Sequence, residues 1–215
     1  MSIPRKTKGT CPKCKTPFDM TVWDSVNTDL SPDIPQKIIS GEFFEQKCPK
    51  CGFVCLVENS MLYHDLRHRF LVWIIHPDEN YKKNLDEAGK SSRLFSGYSS
   101  RVVHHVPELR EKVSIIESGR DDCVIEFMKV VLMSQLAESY PEFKVNRAVY
   151  ISVNSKEYIQ FYDSTDRQMH CELSEETYKE IEDIGVGVYG EIGNCHAGEL
   201  ANVLNRKLGC GCMRL

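Results

Sequence analysis

Four cysteines in two identical tetrapeptides, Cys11-Pro12-Lys13-Cys14 and Cys48-Pro49-Lys50-Cys51, carry the clearest chemistry in this chain. Two residues between cysteines let a tight turn aim both sulfurs at one metal ion, and two such turns supply the four thiolates of a tetrahedral shell. Proline stiffens each turn, and Gly52 permits a positive φ after the second. The alternatives are reduced thiols without a metal, or two redox pairs. A redox pair opens a helix after a strand, whereas both pairs here lie in matching turn settings. The pattern predicts a metal site at Cys11, Cys14, Cys48 and Cys51, with zinc preferred to a rubredoxin-like iron. A closed shell of four thiolates has no open position, so the ion is expected to hold structure rather than activate water.

Other constellations are weaker. His64-Asp65-Leu66-Arg67-His68 would share a zinc if it were helical, with the acid as general base of a metal-dependent hydrolase. The protease pattern has Glu where this stretch has Asp, and an apolar run follows at once, so polar residues ending a strand or lining a turn are the plainer expectation. Cys195-His196 with Cys210 and Cys212 offers a second metal set, but the spacing matches no standard knuckle and an exposed tail is the alternative. Cys55, Cys123 and Cys171 lie in apolar or alternating segments and read as buried, inert thiols. His104-His105 reads as a strand end. There is no phosphate loop, nucleophile elbow or dinucleotide fingerprint.

The elements that must position these residues follow from periodicity. Phe18–Asp24 alternates like a half-buried strand, and Ser31-Pro32 can start a short helix carrying Ile34, Ile38 and Ile39, stopped by Gly41. Phe43–Lys47 leads into the second cysteine pair and Phe53–Val57 leads away from it, the strand-knuckle-strand order of a zinc ribbon. Arg69–Ile75 reads as a buried strand, and residues 78–100, rich in Ser, Lys, Asn and Gly, as a loop or linker. Two helices are expected over Glu108–Ser118 and Cys123–Ala137, with Gly119 and Asp121 as caps between them. The second is apolar on nearly every face and needs a core or a partner to cover it. Ala148–Val153, Tyr158–Asp163 and Gln168–Leu173 read as an antiparallel meander. A helix after Ser174 bearing Tyr178, Ile181 and Ile184, a glycine-rich loop over 185–198 and a last helix over 199–208 complete the chain.

Bulk properties narrow the class. With 215 residues, 41% hydrophobic and 27% charged, the composition is that of an ordinary globular protein. The net charge is −4, yet Arg5, Lys6, Lys8, Lys13 and Lys15 cluster at the start, so a small anionic contact is allowed there and a broad nucleic-acid surface is not expected. The opening is polar and basic without an apolar leader, no run spans a membrane, and ten cysteines without a secretion signal suit a reducing cytoplasm.

The two Cys-Pro-Lys-Cys motifs, the stretch Trp23-Asp24-Ser25-Val26-Asn27 and the sequence Leu62-Tyr63-His64-Asp65 before an apolar strand together resemble the bacterial CpXC domain. The resemblance covers at least residues 8–77, and the helices through 137 are expected to belong to it. It implies metal binding at Cys11, Cys14, Cys48 and Cys51. The whole reads as an α+β protein: an N-terminal zinc-ribbon-like antiparallel β domain (1–77), a linker (78–100), an apolar helical segment (101–138) and a C-terminal β-meander with helices (139–215). Its expected role is a protein-interaction module, by partner binding or self-association. Nucleic-acid binding and the His64/His68 hydrolase are the alternatives.

Overall fold

The computed structural model describes residues 2–78 and 80–189. The chain is mixed α and β and divides into two compact units, Met1–Val113 and Ser114–Leu215. The sites considered at Cys195, His196, Cys210 and Cys212, and the helix expected over 199–208, lie outside the described residues.

In the first unit, strands β1 (Ile3–Thr10), β2 (Pro17–Asn27), β5 (Met61–Asp65), β6 (Phe70–Ile74) and β7 (Ser99–Val103) form one sheet in the order β1-β2-β5-β6-β7. Strands β1/β2 and β5/β6 are antiparallel, whereas β2/β5 and β6/β7 are parallel, so the expected purely antiparallel domain is corrected to a mixed sheet. Parallel neighbours require a crossover connection. Between β2 and β5 the crossover carries helix α1 (Ile34–Ser40), a 3-10 turn (Glu42–Phe44) and the hairpin β3 (Glu45–Lys47)/β4 (Val54–Leu56). Between β6 and β7 it is helix α2 (Tyr81–Ser92).

Helix α2 therefore replaces the loop expected over 78–100. Its apolar stripe is thin, with Ala88 its one buried residue among those described and Tyr81 and Leu85 half-buried, and the exposed i,i+4 pairs Lys83–Glu87 (3.9 Å) and Asp86–Lys90 (2.5 Å) add only about 0.3–0.5 kcal/mol each. Its last residue is tied to the sheet, with Trp73 Nε1 donating to Ser92 Oγ at 3.2 Å. The core of this unit gathers Val22, Val26, Ile38, Met61, Tyr63, Leu71, Val72, Ile74 and Leu109, all buried. Helix α1 ends at Gly41, whose φ of 91° is the left-handed cap expected, and Arg110 donates to the Ile39 carbonyl through Nε (3.0 Å) and Nη2 (2.7 Å).

Helix α3 (Val106–Glu117) carries the chain across the division between the units. Gly119 follows it at φ 72°, and Asp121 caps helix α4 (Asp122–Ser139) by accepting from the N–H groups of Cys123 and Val124. In the second unit β8 (Val145–Val153), β9 (Lys156–Asp163) and β10 (Gln168–Glu172) form the expected meander. Val124, Ile125, Phe127 and Met128 of α4 pack with Phe143, Tyr150, Ile159 and Phe161 in one core, joined by Tyr178 and Ile181 of helix α5 (Glu175–Tyr189). Much of the apolar girth of α4 is thus covered by its own unit. Helix α5 runs through Gly185 and Gly187 to Tyr189, where a loop was expected. Extending an existing helix costs only about 1 kcal/mol per glycine, far less than nucleating one.

Candidate metal centre

Both cysteine pairs sit in hairpin loops. Thr10 pairs with Pro17 at the end of β1/β2, which leaves residues 11–16 as one loop, and Lys47 pairs with Val54 in β3/β4, which leaves 48–53 as the other. The two loops repeat the same backbone pattern. In the first, Cys11 N–H donates to the Thr16 carbonyl and Lys15 N–H to the Cys11 carbonyl, both at 2.9 Å. In the second, Cys48 N–H donates to the Phe53 carbonyl at 2.8 Å and Gly52 N–H to the Cys48 carbonyl at 3.0 Å. The fourth residue after the leading cysteine is left-handed in each, Gly52 at φ 71° as expected and Lys15 at φ 56°. The left-handed lysine was not anticipated, because only glycine announces that conformation in a sequence.

The folding of β2 toward the second hairpin, marked by Thr21 N–H donating to Gln46 Oε1 at 3.1 Å, brings the loops face to face. Cys11 Sγ lies 3.6 Å from Cys51 Sγ and Cys14 Sγ lies 3.7 Å from Cys48 Sγ, and the four ligand atoms are all within 4.8 Å of one another. A disulfide would bring sulfurs to about 2.05 Å. Sulfurs bound at about 2.3 Å to one tetrahedral ion stand about 3.8 Å apart, and the observed contacts match that spacing. Cys11 and Cys48 are fully enclosed, whereas Cys14 and Cys51 retain solvent contact.

The electrostatics suit a cation. The Thr16 hydroxyl, 3.3 Å from Cys14 Sγ, together with the Thr16 N–H holds the Cys14 thiol down at about 6. The Cys14 N–H lowers Cys11 against the opposing effect of burial. Cys51 goes the other way: although the Phe53 N–H favours its thiolate, burial and the sulfurs of Cys14, Cys11 and Cys48 push it up to about 12. Like charges this close cannot all ionise on their own, and a divalent ion among them removes that obstacle. Lys13, Lys15, Lys47 and Lys50 stand in or beside the two loops.

A family model described as CpXC protein matches residues 10–129, more than half of the chain. The chain is a member of the CpXC family. The CpXC match opens one residue before Cys11, encloses both loops and ends inside α4, so the meander and α5 lie beyond it. No curated protein and no solved structure matches the chain.

The other sequence candidates are not assembled as the hydrolase reading requires. His64 is in strand β5 and His68 in the turn after it, so the two do not share a helix face. His64 packs edge-on against Phe95 and Tyr98, with centroids at 5.0 and 5.4 Å, and burial lowers its pKa. Asp65 accepts from the His68 N–H at 3.0 Å, contacts His68 Nδ1 at 2.8 Å and receives the Tyr63 hydroxyl at 3.3 Å, the bonding of a turn-stabilising carboxylate. Cys55, Cys123 and Cys171 are half-buried rather than fully buried, and burial raises Cys55 and Cys171.

Proposed function

We propose that Cys11, Cys14, Cys48 and Cys51 hold one zinc ion that staples the two hairpins together as a zinc ribbon, and that the stapled region serves as a protein-interaction module. The observation that carries this reading is the pair of sulfur contacts at 3.6 and 3.7 Å, the edge length of a four-thiolate tetrahedron. All four corners are cysteine, so the ion has no position for a substrate or water, and its contribution is to folding. Zinc suits such a site because it is redox-inert and has no geometric preference of its own.

Support for an interaction role comes from the second hairpin. Phe53 at the end of the cysteine loop and Val54 and Leu56 on β4 are 39%, 44% and 70% exposed, apolar side chains left in solvent by their own unit. The metal fixes this hairpin, and a rigid apolar patch binds at lower entropic cost than a mobile one. Plasma mass spectrometry of the purified protein tests the first half: one zinc per chain at this site, lost on Cys11→Ser, supports it, and iron or no metal refutes it. Photo-cross-linking from position 56 tests the second. A defined adduct, to a partner or a second copy, that disappears on chelation and is not formed from a probe at Lys83 supports the module. Adducts equal at both positions refute it.

The runner-up is nucleic-acid binding by β1, whose Arg5, Lys6 and Lys8 are exposed. Arg5 is already engaged by Asp24 at 3.2 Å and Lys6 by the Thr21 hydroxyl at 2.8 Å, which weakens that reading. Retention of a DNA or RNA oligomer that falls steeply with salt would favour it instead.

A further inference from the structure

The topology of the first unit brings a second set of metal-binding side chains together, away from the cysteines. Strands β6 and β7 are parallel neighbours with Ile74 opposite Val103, and the Ile75 N–H continues the ladder to the Val103 carbonyl at 2.9 Å. His76 and His105 each lie two residues beyond that matched pair, so both emerge at one level past the carboxyl ends of two parallel strands. Such ends are where ligands gather in parallel sheets. Strand β5 runs antiparallel to β6 with Met61 opposite Ile74, and the His76 N–H reaches Ser60 Oγ at 3.4 Å. Glu58, two residues earlier, arrives at the same edge.

Glu58, His76 and His105 each place one ligand atom within 4.8 Å of the others, and the two imidazole centroids are 6.4 Å apart. His76 Nε2 is buried and has no hydrogen-bond partner among the described residues. Buried polar atoms in folded proteins are almost always satisfied, and an ion is one of the few things that satisfies a bare ring nitrogen. The adjacent His104 is otherwise occupied, with Nδ1 3.1 Å from the Ile75 carbonyl. Among the described residues His64 Nε2 is also buried and unpartnered, but its ring sits against two aromatic side chains and belongs to no such cluster.

We propose that Glu58, His76 and His105 form a second metal site, for a borderline divalent ion of the zinc, cobalt or nickel type. Two imidazoles and one carboxylate suit such ions rather than calcium or magnesium, which take all-oxygen shells. Three protein ligands leave a tetrahedral ion one position for water or an incoming donor group, in contrast to the closed cysteine shell. Glu58 and His105 are exposed, so that position faces solvent.

Titration of the metal-free protein with cobalt(II) tests this. Cobalt on thiolates gives intense sulfur-to-metal charge-transfer absorption, whereas cobalt on nitrogen and oxygen gives only weak visible bands. Two equivalents are expected to bind, one with the charge-transfer band and one without. His105→Gln, at an exposed position whose carbonyl receives the Glu108 and Leu109 N–H groups in any case, is expected to lose the second equivalent and keep the first. His76→Gln is expected to do the same, and Glu58→Gln to weaken the second equivalent at least tenfold. The charge-transfer band reports that each variant has folded, and its absence from the native protein would overturn the cysteine site without touching this one. Absence from native protein of any equivalent lacking the charge-transfer band, or such an equivalent unchanged in both histidine variants, would overturn the proposal.

Discussion

Replacing Cys48 with serine removes one of two fully enclosed sulfurs and leaves every backbone atom of the loop in place. The hairpin it anchors has only three residue pairs, Glu45–Leu56, Gln46–Cys55 and Lys47–Val54. A two-stranded hairpin of that size is marginal at best on its own. A structural zinc contributes about 10 kcal/mol to folding, so one corner of four is worth roughly 2.5 kcal/mol, or about 60-fold in the opening equilibrium. Hydrogen exchange reads that change directly at the amides of Cys48, Gly52 and Val57, which donate to Phe53, Cys48 and Phe44 at 2.8, 3.0 and 2.9 Å. Their protection is expected to fall by ~60-fold or more in Cys48→Ser, and further if the ion is lost altogether. The amides of β9, in the other unit, are expected to keep theirs. Unchanged protection around Cys48, with unchanged metal content, would refute the claim that the sulfurs hold the hairpin through a shared ion.

Gly52→Val should cost about 1–2 kcal/mol by thermal unfolding of the metal-loaded protein, because a Cβ there meets only Lys47 Cε at an ordinary 3.7 Å and the cost is the φ of 71° alone; Lys15→Gly should be neutral or stabilising for the same reason. Metal affinity should rise steadily with pH, since protons must leave Cys51, held at about 12, for the ion to bind, and a pH-independent affinity from a competitive chelator titration would contradict the thiolate assignment. In the second unit Arg120 donates to Glu157 at 3.0 and 2.5 Å and to Glu175 at 2.7 Å while lying over the Tyr178 ring. Arg120→Leu leaves the largely buried Glu157 carboxylate without its cation, with only the Tyr150 hydroxyl still donating to it, and should cost about 3 kcal/mol, part of it recovered in the Arg120→Leu, Glu157→Leu double variant. Burial alone would raise Asp163, but the Thr165 hydroxyl and N–H and the Arg167 side chain hold it at about 2. Its folded pKa is depressed, so its stabilisation is present above about pH 4 and lost as pH falls toward 2; acid unfolding of Asp163→Asn should lack that step.

The clustering of the four cysteines was legible because its signal is local: the same Cys-Pro-Lys-Cys run occurs twice, each in a turn-prone setting between strand-like segments. The helices around Leu109 and Val124 and the meander were legible for a similar reason, since each carries its own periodicity and caps. Strand β1 was not, because an edge strand of Arg, Lys and Thr has no buried face to print a period on the sequence. Helix α2 was missed because its apolar stripe is thin, with Ala88 buried and Tyr81 and Leu85 only half-buried in an otherwise polar, charged segment. The mixed sheet was missed because parallel pairing is decided by the crossovers, not by the strands. That same non-local register aligns His76 with His105, residues that neither spacing nor neighbours in the sequence connect.

X-ray absorption at the metal edge of protein loaded with one equivalent of zinc addresses the central claim most directly. Four sulfur scatterers at about 2.3 Å, with no nitrogen or oxygen in the shell, are the predicted result. A shell containing a light-atom ligand, or fewer than four sulfurs, would contradict the assignment of Cys11, Cys14, Cys48 and Cys51 as a closed structural site.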